Sequence, residues 1–243
     1  MRKQLHIMAV GAHILDAELT CGKTLAKHAM MGDKITTVAI TAGEGGHPAE
    51  FSVEEFKKIN IEGATKFAEE LGGKFICMNY RDANVPENEE IFDDFADIIR
   101  REKPDIILTH WDGSYHEDHI IAPIMVRKGV RRAAFSSGDL PPHSVKKILY
   151  AENWEDMKDF VPYVYVDVTD SFDLWHKAIQ HIYLATHAKY FDYLGYYDTL
   201  SRLRGILAAR EMHDCVRAEC FCLGELDHFR LTDMHKNLSD IIK

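Results

Sequence analysis

Short apolar runs alternate with longer amphipathic segments through the first part of this chain, and this alternation restricts it to few folds. The apolar runs have the length and β-branched content of buried strands. They span Leu5–Gly11, Ile35–Thr41, Lys74–Met78 and Asp105–Thr109. The helices predicted between them span Asp16–Met31, Ser52–Leu71 and Glu89–Glu102. Because such alternation favours parallel strands joined by right-handed helical crossovers, we predict an α/β fold with a Rossmann-like, mostly parallel sheet and helices on both faces.

The pattern is less regular beyond the Pro141-Pro142 pair. The elements predicted there are strands at Lys146–Ala151 and Tyr163–Val168 and helices at Ser171–His187 and Thr199–Glu211. The stretch after Leu226 is polar and is predicted to be a loosely attached tail. Because no repeat or linker divides the sequence, we predict that residues 1–243 form a single domain.

The charge balance narrows the classes of partner. Lys and Arg number 29 and Asp and Glu number 39, which gives a net charge of −10. An acidic chain is poorly suited to binding phosphate backbones, so nucleic acid is disfavoured as a partner. No apolar run approaches the roughly 18 residues that indicate a membrane span, and the N-terminus lacks the features of a signal peptide. Five cysteines without paired spacing favour reduced thiols and a cytoplasmic location.

Side chains that can bind a metal follow two of the predicted strands. Open parallel sheets bind their ligands beyond the carboxyl ends of the strands. His13 and Asp16 follow the first strand, three residues apart, and His116 and His119 follow the fourth strand with the same spacing. Nitrogen and oxygen donors suit a catalytic zinc site, which needs about three protein ligands and an open position. By spacing alone, a metal site and ordinary hydrogen-bonded histidines are equal alternatives.

The residues around these pairs resemble the motifs of the LmbE-like, or PIG-L, zinc-dependent de-N-acetylases. The run Ala12-His13-Ile14-Leu15-Asp16-Ala17-Glu18-Leu19 is similar to the family's Ala-His-Pro-Asp-Asp-x-Glu-Leu motif. The run His116-Glu117-Asp118-His119 is similar to its His-Pro-Asp-His motif. The resemblance covers at least residues 5–135. Either motif alone is weak, whereas the two together are fairly specific.

The resemblance implies a zinc ion (Zn²⁺) whose ligands are His13, Asp16 and His119. It also implies that His116 stabilises the oxyanion and protonates the leaving amine, and that Asp118 orients His116. The implied activity is hydrolysis of a carbon–nitrogen amide bond, in which an acetyl group is removed from a small-molecule amino sugar or glycoconjugate. The protein is therefore expected to be a hydrolytic enzyme.

One position departs from the family pattern. The family has its general base at the first Asp of the Asp-Asp pair, and this position is Leu15 here. Loss of a general base typically costs about 10²- to 10⁴-fold in rate. Glu44 or Asp112 could supply another carboxylate, or His116 could serve as base and then as acid. The remaining alternatives are a metal-binding module that has lost hydrolysis and a zinc hydrolase with a non-sugar substrate.

Other polar and aromatic residues are candidates for substrate contacts. Arg81 and Asp112 lie at the third and fourth strand ends and are predicted to bind substrate. Asp82 could bind a polar substrate together with Arg81, or the two could form a surface ion pair. A dense aromatic group, which could line a pocket or form the interface of a homo-oligomer, comprises Tyr190, Phe191, Tyr193, Tyr196 and Tyr197. A dinucleotide cofactor is disfavoured, because no Gly-x-Gly-x-x-Gly motif follows the first strand.

Overall fold

A computed structural model describes residues 3–154 and 158–224 of the protein, so the predicted tail after Leu226 lies outside the described residues. The strands are β1 (His6–Gly11), β2 (Lys34–Thr41), β3 (Lys74–Tyr80), β4 (Ile106–His110), β5 (Lys147–Ala151), β6 (Val164–Asp167) and β7 (Ala218–Cys222). The helices are α1 (Asp16–Thr20), α2 (Gly22–Met30), α3 (Val53–Glu70), α4 (Glu89–Glu102), α5 (Glu117–Ala133), α6 (Phe172–Ile179), α7 (Tyr183–His187) and α8 (Tyr193–Ala208). Within these ranges, no helix is long and apolar enough to cross a membrane.

The strands form one sheet in the order β3-β2-β1-β4-β5-β7-β6. Strands β1 to β5 pair in parallel, and β7 is antiparallel to both of its neighbours. The predicted α/β fold with a mostly parallel sheet is thus confirmed. The chain runs outward from β1 to β3, returns to β4 beside β1, and then continues in the opposite direction. The carboxyl ends of β1 and β4 therefore flank the crevice in which such sheets bind ligands.

The central strand β1 is buried on both faces of the sheet. Ile7 and Ala9 belong to the core that α2, α3 and α6 cover, whereas Met8 and Val10 belong to the core beneath α4 and α5. Side chains alternate between faces along a strand, so a strand with a core on each side has to be apolar almost throughout. This is why the apolar run at the N-terminus was enough to predict a buried strand.

The predicted helix at Asp16–Met31 is divided into α1 and α2. The division occurs beside Gly22, where an added Cβ would lie 2.5 Å from the ring of Trp175. The indole Nε1 of Trp175 also donates a hydrogen bond of 2.8 Å to the backbone carbonyl of Glu18. A side chain from α6, more than 150 positions away, thus occupies the space beside the helix and binds one of its backbone groups.

The second half of the chain differs from the prediction in three further places. The helix predicted at Thr199–Glu211 is α8, which begins six residues earlier, at Tyr193. The helix predicted at Ser171–His187 is two helices, α6 and α7, and β7 was not predicted at all. Strand β7 lies between β5 and β6, and its Glu219 accepts hydrogen bonds from the backbone N–H groups of Lys23 and Thr24 at 3.1 and 2.8 Å. Antiparallel pairing with distant strands gives a short segment little local signal of its own.

Helix α3 approaches the turn between α6 and α7 most closely at Gly63. A Cβ at this position would lie 2.6 Å from the backbone carbonyl oxygen of His181. We expect Gly63→Ala to lower the free energy of unfolding by about 1–2 kcal/mol in urea denaturation, because overpacking outweighs the better helix propensity of alanine. Glu62→Ala, at an exposed position of the same helix, should change it by less than about 0.5 kcal/mol. Equal urea concentrations at the midpoint of unfolding for the two variants would show that the contact between Gly63 and the backbone of His181 is not tight.

Candidate metal centre

The two predicted motifs meet at the carboxyl ends of β1 and β4, which are adjacent strands. His13 lies in the turn after β1, and Asp16 is the first residue of α1. The carboxylate Oδ2 of Asp16 accepts a hydrogen bond of 2.7 Å from the backbone N–H of His13, so the turn itself holds the pair together. His116 caps the N-terminus of α5, and His119 lies in its first turn.

Three side-chain atoms of His13, Asp16 and His119 form a compact triangle. The Nδ1 atom of His13 lies 3.2 Å from Oδ2 of Asp16 and 3.3 Å from Nε2 of His119. The Nε2 atom of His119 lies 3.5 Å from Oδ2 of Asp16. A tetrahedral zinc ion with bonds of about 2.0–2.1 Å has donor atoms about 3.3–3.4 Å apart. The donor types and their spacing therefore fit a zinc ion, with a fourth position for water or substrate.

Other donors surround this triangle and form overlapping groups with it. His116 belongs to a group with His13 and His119, and His110 belongs to one with Asp16 and His119. The Nε2 atom of His110 lies 3.1 Å from Oδ2 of Asp16, and it also accepts a hydrogen bond of 3.0 Å from the backbone N–H of Ala12. Because a ring nitrogen that accepts this bond has no proton to donate to Asp16, the contact does not itself orient the carboxylate; the backbone hydrogen bond instead fixes the His110 ring beside Asp16 and His119.

The second ring nitrogen of His13 contacts two further carboxylates. Nε2 lies 3.2 Å from Oδ2 of Asp118 and 3.1 Å from Oδ1 of Asp82. A carboxylate on the second nitrogen of a metal-binding histidine fixes its tautomer and its orientation. Both carboxylates are thus placed to hold the His13 ring with Nδ1 facing the triangle.

Asp118 does not make the contact that the resemblance implied. Its carboxylate accepts hydrogen bonds from the backbone N–H groups of Ala83 and Val85, at 2.8 and 3.1 Å, and contacts His13. The Nδ1 atom of His116 is buried and has no hydrogen-bond partner among the described residues. Asp118 thus positions His13 and the segment after β3, because the first turn of α5 directs its side chain toward them.

His116 lies beside the triangle, and its ring contacts the rings of His119 and His13. Its ring centroid is 4.4 Å from that of His119, nearly parallel to it, and 4.9 Å from that of His13. Burial lowers the pKa of His116, and the neighbouring His119 and His13 lower it further. A neutral imidazole of this kind can accept a proton.

The electrostatics of the site favour a cation. Burial by itself lowers the pKa of His13, but the charge of Asp16 and contacts with Asp118 and Asp82 outweigh it and raise the pKa to about 12. Burial would raise the pKa of Asp16, yet the adjacent His119, His110 and His13 hold it well below its usual range. Three carboxylates thus converge on one imidazole, and a bound cation would compensate their charge.

Leu15, at the position of the family's general base, has an unusual backbone conformation. Its φ angle is +103°, a region that a bulky residue rarely adopts. Its backbone N–H donates a hydrogen bond of 2.9 Å to Oε2 of Glu18, and burial raises the pKa of that glutamate to about 7. The Leu15 side chain is buried and lines a cavity of about 260 Å³ next to the triangle. Strain of this kind is concentrated at functional sites.

The remaining predicted residues lie away from this cavity. Asp112 pairs with Arg127 at 2.6 and 2.9 Å, and Arg81 is exposed. Glu44 is buried and accepts a hydrogen bond of 3.3 Å from the backbone N–H of Asp82. Among the residues that the structure describes, the cavity wall contains Asp82 but none of Arg81, Asp112 and Glu44.

Besides His110 and Asp82, two further residues of the site come from beyond the motifs. Asn153 follows β5, and its Nδ2 lies 3.4 Å from Nδ1 of His119. The hydroxyl of Tyr197, in α8, donates a hydrogen bond of 2.9 Å to Oδ1 of Asn153. Both side chains line the cavity. No spacing in the sequence connects them to His119, although the dense aromatic group already included Tyr197.

The contact between Asp118 and His13 gives a testable prediction. Asp118→Asn replaces an acceptor oxygen with an amide that cannot accept all three hydrogen bonds, so we expect zinc affinity to fall by about 10- to 100-fold. Competition with a chromogenic chelator measures this change. Asp173→Asn, at an exposed position of α6, is the matched control and should bind zinc like the unmodified protein. An unchanged affinity in Asp118→Asn would contradict the positioning role of Asp118.

Comparison with known proteins gives one family and a set of distant relatives. The profile of the family described as "PIG-L: GlcNAc-PI de-N-acetylase" matches residues 8–130. The 4-oxalmesaconate hydratase of Pseudomonas putida is 24% identical over 220 residues, which cover 86% of this chain and 83% of that protein. The diacetylchitobiose deacetylase of Thermococcus kodakarensis is 25% identical over 188 residues, which cover 72% and 67%. The relatives thus include both a deacetylase and a hydratase.

Solved structures share the fold. The crystal structure of GalB, the 4-carboxy-2-hydroxymuconate hydratase from Pseudomonas putida, superposes with a TM-score of 0.80 at 23% identity. The match covers 90% of this chain and 95% of that one. At this level of identity, the similarity establishes the architecture, and the chemistry has to be argued from the side chains.

Proposed function

Because this chain belongs to the PIG-L family of GlcNAc-PI de-N-acetylases, we propose that it is a metal-dependent amidohydrolase. Its proposed reaction is removal of the acetyl group from a small-molecule N-acetyl amino sugar conjugate. The observation that carries the proposal is the triangle of donor atoms from His13, Asp16 and His119, with edges of 3.2–3.5 Å. We propose Zn²⁺ as the ion and these three side chains as its ligands.

The residues around the triangle can perform the proton transfers of amide hydrolysis. Zinc held by such a donor set polarises a carbonyl group and lowers the pKa of water to about 7. His116 lines the same cavity, and we assign it the transfer of a proton from the attacking water to the leaving nitrogen. Water adds to the carbonyl carbon, the carbon–nitrogen bond breaks, and acetate and a free amine leave.

Both proton transfers are assigned to His116 because it lines the cavity, whereas neither Glu44 nor Asp112 does. Asp112 is paired with Arg127, and Glu44 contacts the backbone of Asp82. Leu15 faces the cavity but cannot accept a proton. His116 is the histidine of the second motif that does not belong to the triangle, and its Nδ1 has no hydrogen-bond partner in the described part of the chain.

Hydration of a carbon–carbon double bond is a second candidate function. Two observations favour it: Leu15 replaces the carboxylate that amide hydrolysis uses in the family, and a hydratase matches 86% of the chain. The lack of basic side chains in the described cavity wall argues against a polycarboxylate substrate such as the one in that relative's name. Asp16 and Asp82 line the cavity, whereas no Lys or Arg does so within residues 3–154 and 158–224. A neutral acetamido group fits this wall better.

Acetate release from zinc-loaded protein tests the proposal. The panel contains N-acetylglucosamine, its methyl and aryl glycosides and larger glycoconjugates, and acetate is quantified with an enzyme-coupled assay. We expect release that requires zinc and that His116→Ala lowers by about 10²-fold or more. Conjugated dienoic acids are assayed in parallel, because hydration removes their ultraviolet absorbance. Hydration without acetate release would favour the second candidate, and silence in both assays would favour a metal-binding module.

A further inference from the structure

A second, outer cavity adjoins the metal centre and is not used by the proposed chemistry. It has a volume of about 420 Å³. The inner cavity beside the triangle and the outer cavity share Gly46, Leu184 and Tyr193 in their walls. The two cavities are therefore direct neighbours, with these three residues between the outer cavity and the one beside the donor triangle.

The aromatic group predicted from the sequence forms part of this recess. Trp154 lines the inner cavity, and its ring is stacked on that of Phe191 with centroids 4.4 Å apart. Phe191 lines the outer cavity and makes an edge contact with Tyr193 at 4.9 Å. Tyr190, at the rim, is fully exposed. Aromatic rings thus extend from the metal centre to the protein surface, and their edges and faces favour contact with other rings.

The sizes of the two cavities indicate a ligand that occupies both. Sites for small molecules usually have volumes of about 300–1,000 Å³. The inner cavity, at about 260 Å³, lies just below this range. Pro48, Ala49, Leu184, Ala188 and Phe191 make much of the outer wall apolar, and His47, Glu50, His187 and Lys189 add polar groups. We therefore expect the outer wall to bind a flat apolar group of a ligand better than a charged or strongly hydrated group.

We propose that the outer cavity is a binding subsite for a flat apolar group, such as an aromatic aglycone, attached to the sugar that the inner cavity binds. This inference rests on the proposed function and specifies the substrate as a two-part conjugate. The concave shape and the position next to the cavity of the metal centre favour a ligand over a subunit interface, since Leu184 and Tyr193 line both cavities.

Isothermal titration of zinc-loaded protein with two matched ligands tests the subsite. Methyl and phenyl N-acetyl-β-glucosaminides differ only in the group that the outer cavity would bind. We expect the phenyl glycoside to bind at least tenfold more tightly. Tyr190→Ala and Phe191→Ala should each reduce this ratio of dissociation constants toward one. Phe135→Ala, an exposed aromatic residue outside both cavities, is the control and should keep the ratio.

The outcomes separate the subsite from the proposed function. If the methyl glycoside binds and releases acetate but the phenyl glycoside binds no more tightly, the subsite proposal fails and the proposed function stands. If neither glycoside binds, the proposed function fails and the subsite fails with it. A preference for di-N-acetylchitobiose over the phenyl glycoside would overturn the choice of an aromatic group. Sedimentation velocity is run on the same samples, and a dimer that Tyr190→Ala dissociates would assign the surface to a subunit interface instead.

Discussion

Replacement of His119 by alanine should remove tightly bound zinc and acetate-releasing activity together. His119 is buried and supplies one of only three proposed ligands, with its Nε2 3.3 Å from His13 and 3.5 Å from Asp16. Loss of a supporting contact to a metal ligand costs about 10- to 100-fold in metal affinity, so loss of the ligand itself should cost at least about 10²-fold. Metal analysis after dialysis against a weak chelator measures the zinc content per chain.

Two further variants make this experiment specific. His213→Ala removes an exposed histidine far along the chain from both motifs and should retain one zinc ion. His119→Asp keeps a donor group at the ligand position and should retain more zinc than His119→Ala. Circular dichroism reports whether each variant is folded. Full zinc content in a folded His119→Ala protein would refute the proposed ligand set.

Leu15→Asp should increase acetate release from an N-acetyl amino sugar by about 10²-fold or more. A positioned general base contributes about 10²- to 10⁴-fold to such reactions, and Leu15 lines the cavity at the position where the family has its base. Because the backbone of Leu15, with φ +103° and ψ −33°, lies outside the left-handed α region, circular dichroism is used to check that the variant folds. Initial rates at saturating substrate, with zinc content determined in the same samples, measure the effect.

The Leu15→Asn variant distinguishes the effect of a new general base from the effect of replacing the leucine with a smaller polar side chain. Asn has nearly the same size as Asp but does not act as a base, so it should leave the rate close to that of the unmodified protein. An equal gain in both variants would mean that removal of the leucine, rather than a new carboxylate, increases the rate. Unchanged activity in a folded, zinc-loaded Leu15→Asp protein would show that the missing carboxylate does not limit the reaction. In either case both proton transfers would stay with His116, as proposed above.

The carboxylates near the site illustrate why spacing alone was insufficient. Glu44 and Asp112 follow strand ends, as a replacement base would, yet neither side chain reaches the described cavity wall. Asp112 is instead bound by Arg127 from α5. Asp82, which the sequence suggested together with Arg81 as a substrate contact or as a surface ion pair, contacts His13 and lines the cavity. Its Oδ2 is held by the backbone N–H of Gly45, and that contact depends on how two loops pack.

The sequence by itself determined the five strands of the parallel part of the sheet, the family and the two motifs. These follow from local patterns, because strand burial has a period of two residues and His13 and Asp16 lie within one turn. The binding of zinc by His13, Asp16 and His119, and the single domain over 1–243, stay predictions. The motifs also could be expected to meet, since parallel strands end at the same edge of a sheet.

Only the tertiary structure decided which other side chains surround the motifs. His110, Asp82, Asn153 and Tyr197 reach the site from different elements, and Trp175 divides the first helix. Strand β7 pairs with β5 and β6, which are both distant in sequence. The physical reason is the range of the interactions. The hydropathy pattern and the helix caps can be read from a few neighbouring residues. The contacts of the side chains and of β7 named above depend instead on the packing of segments that are tens of residues apart in the sequence.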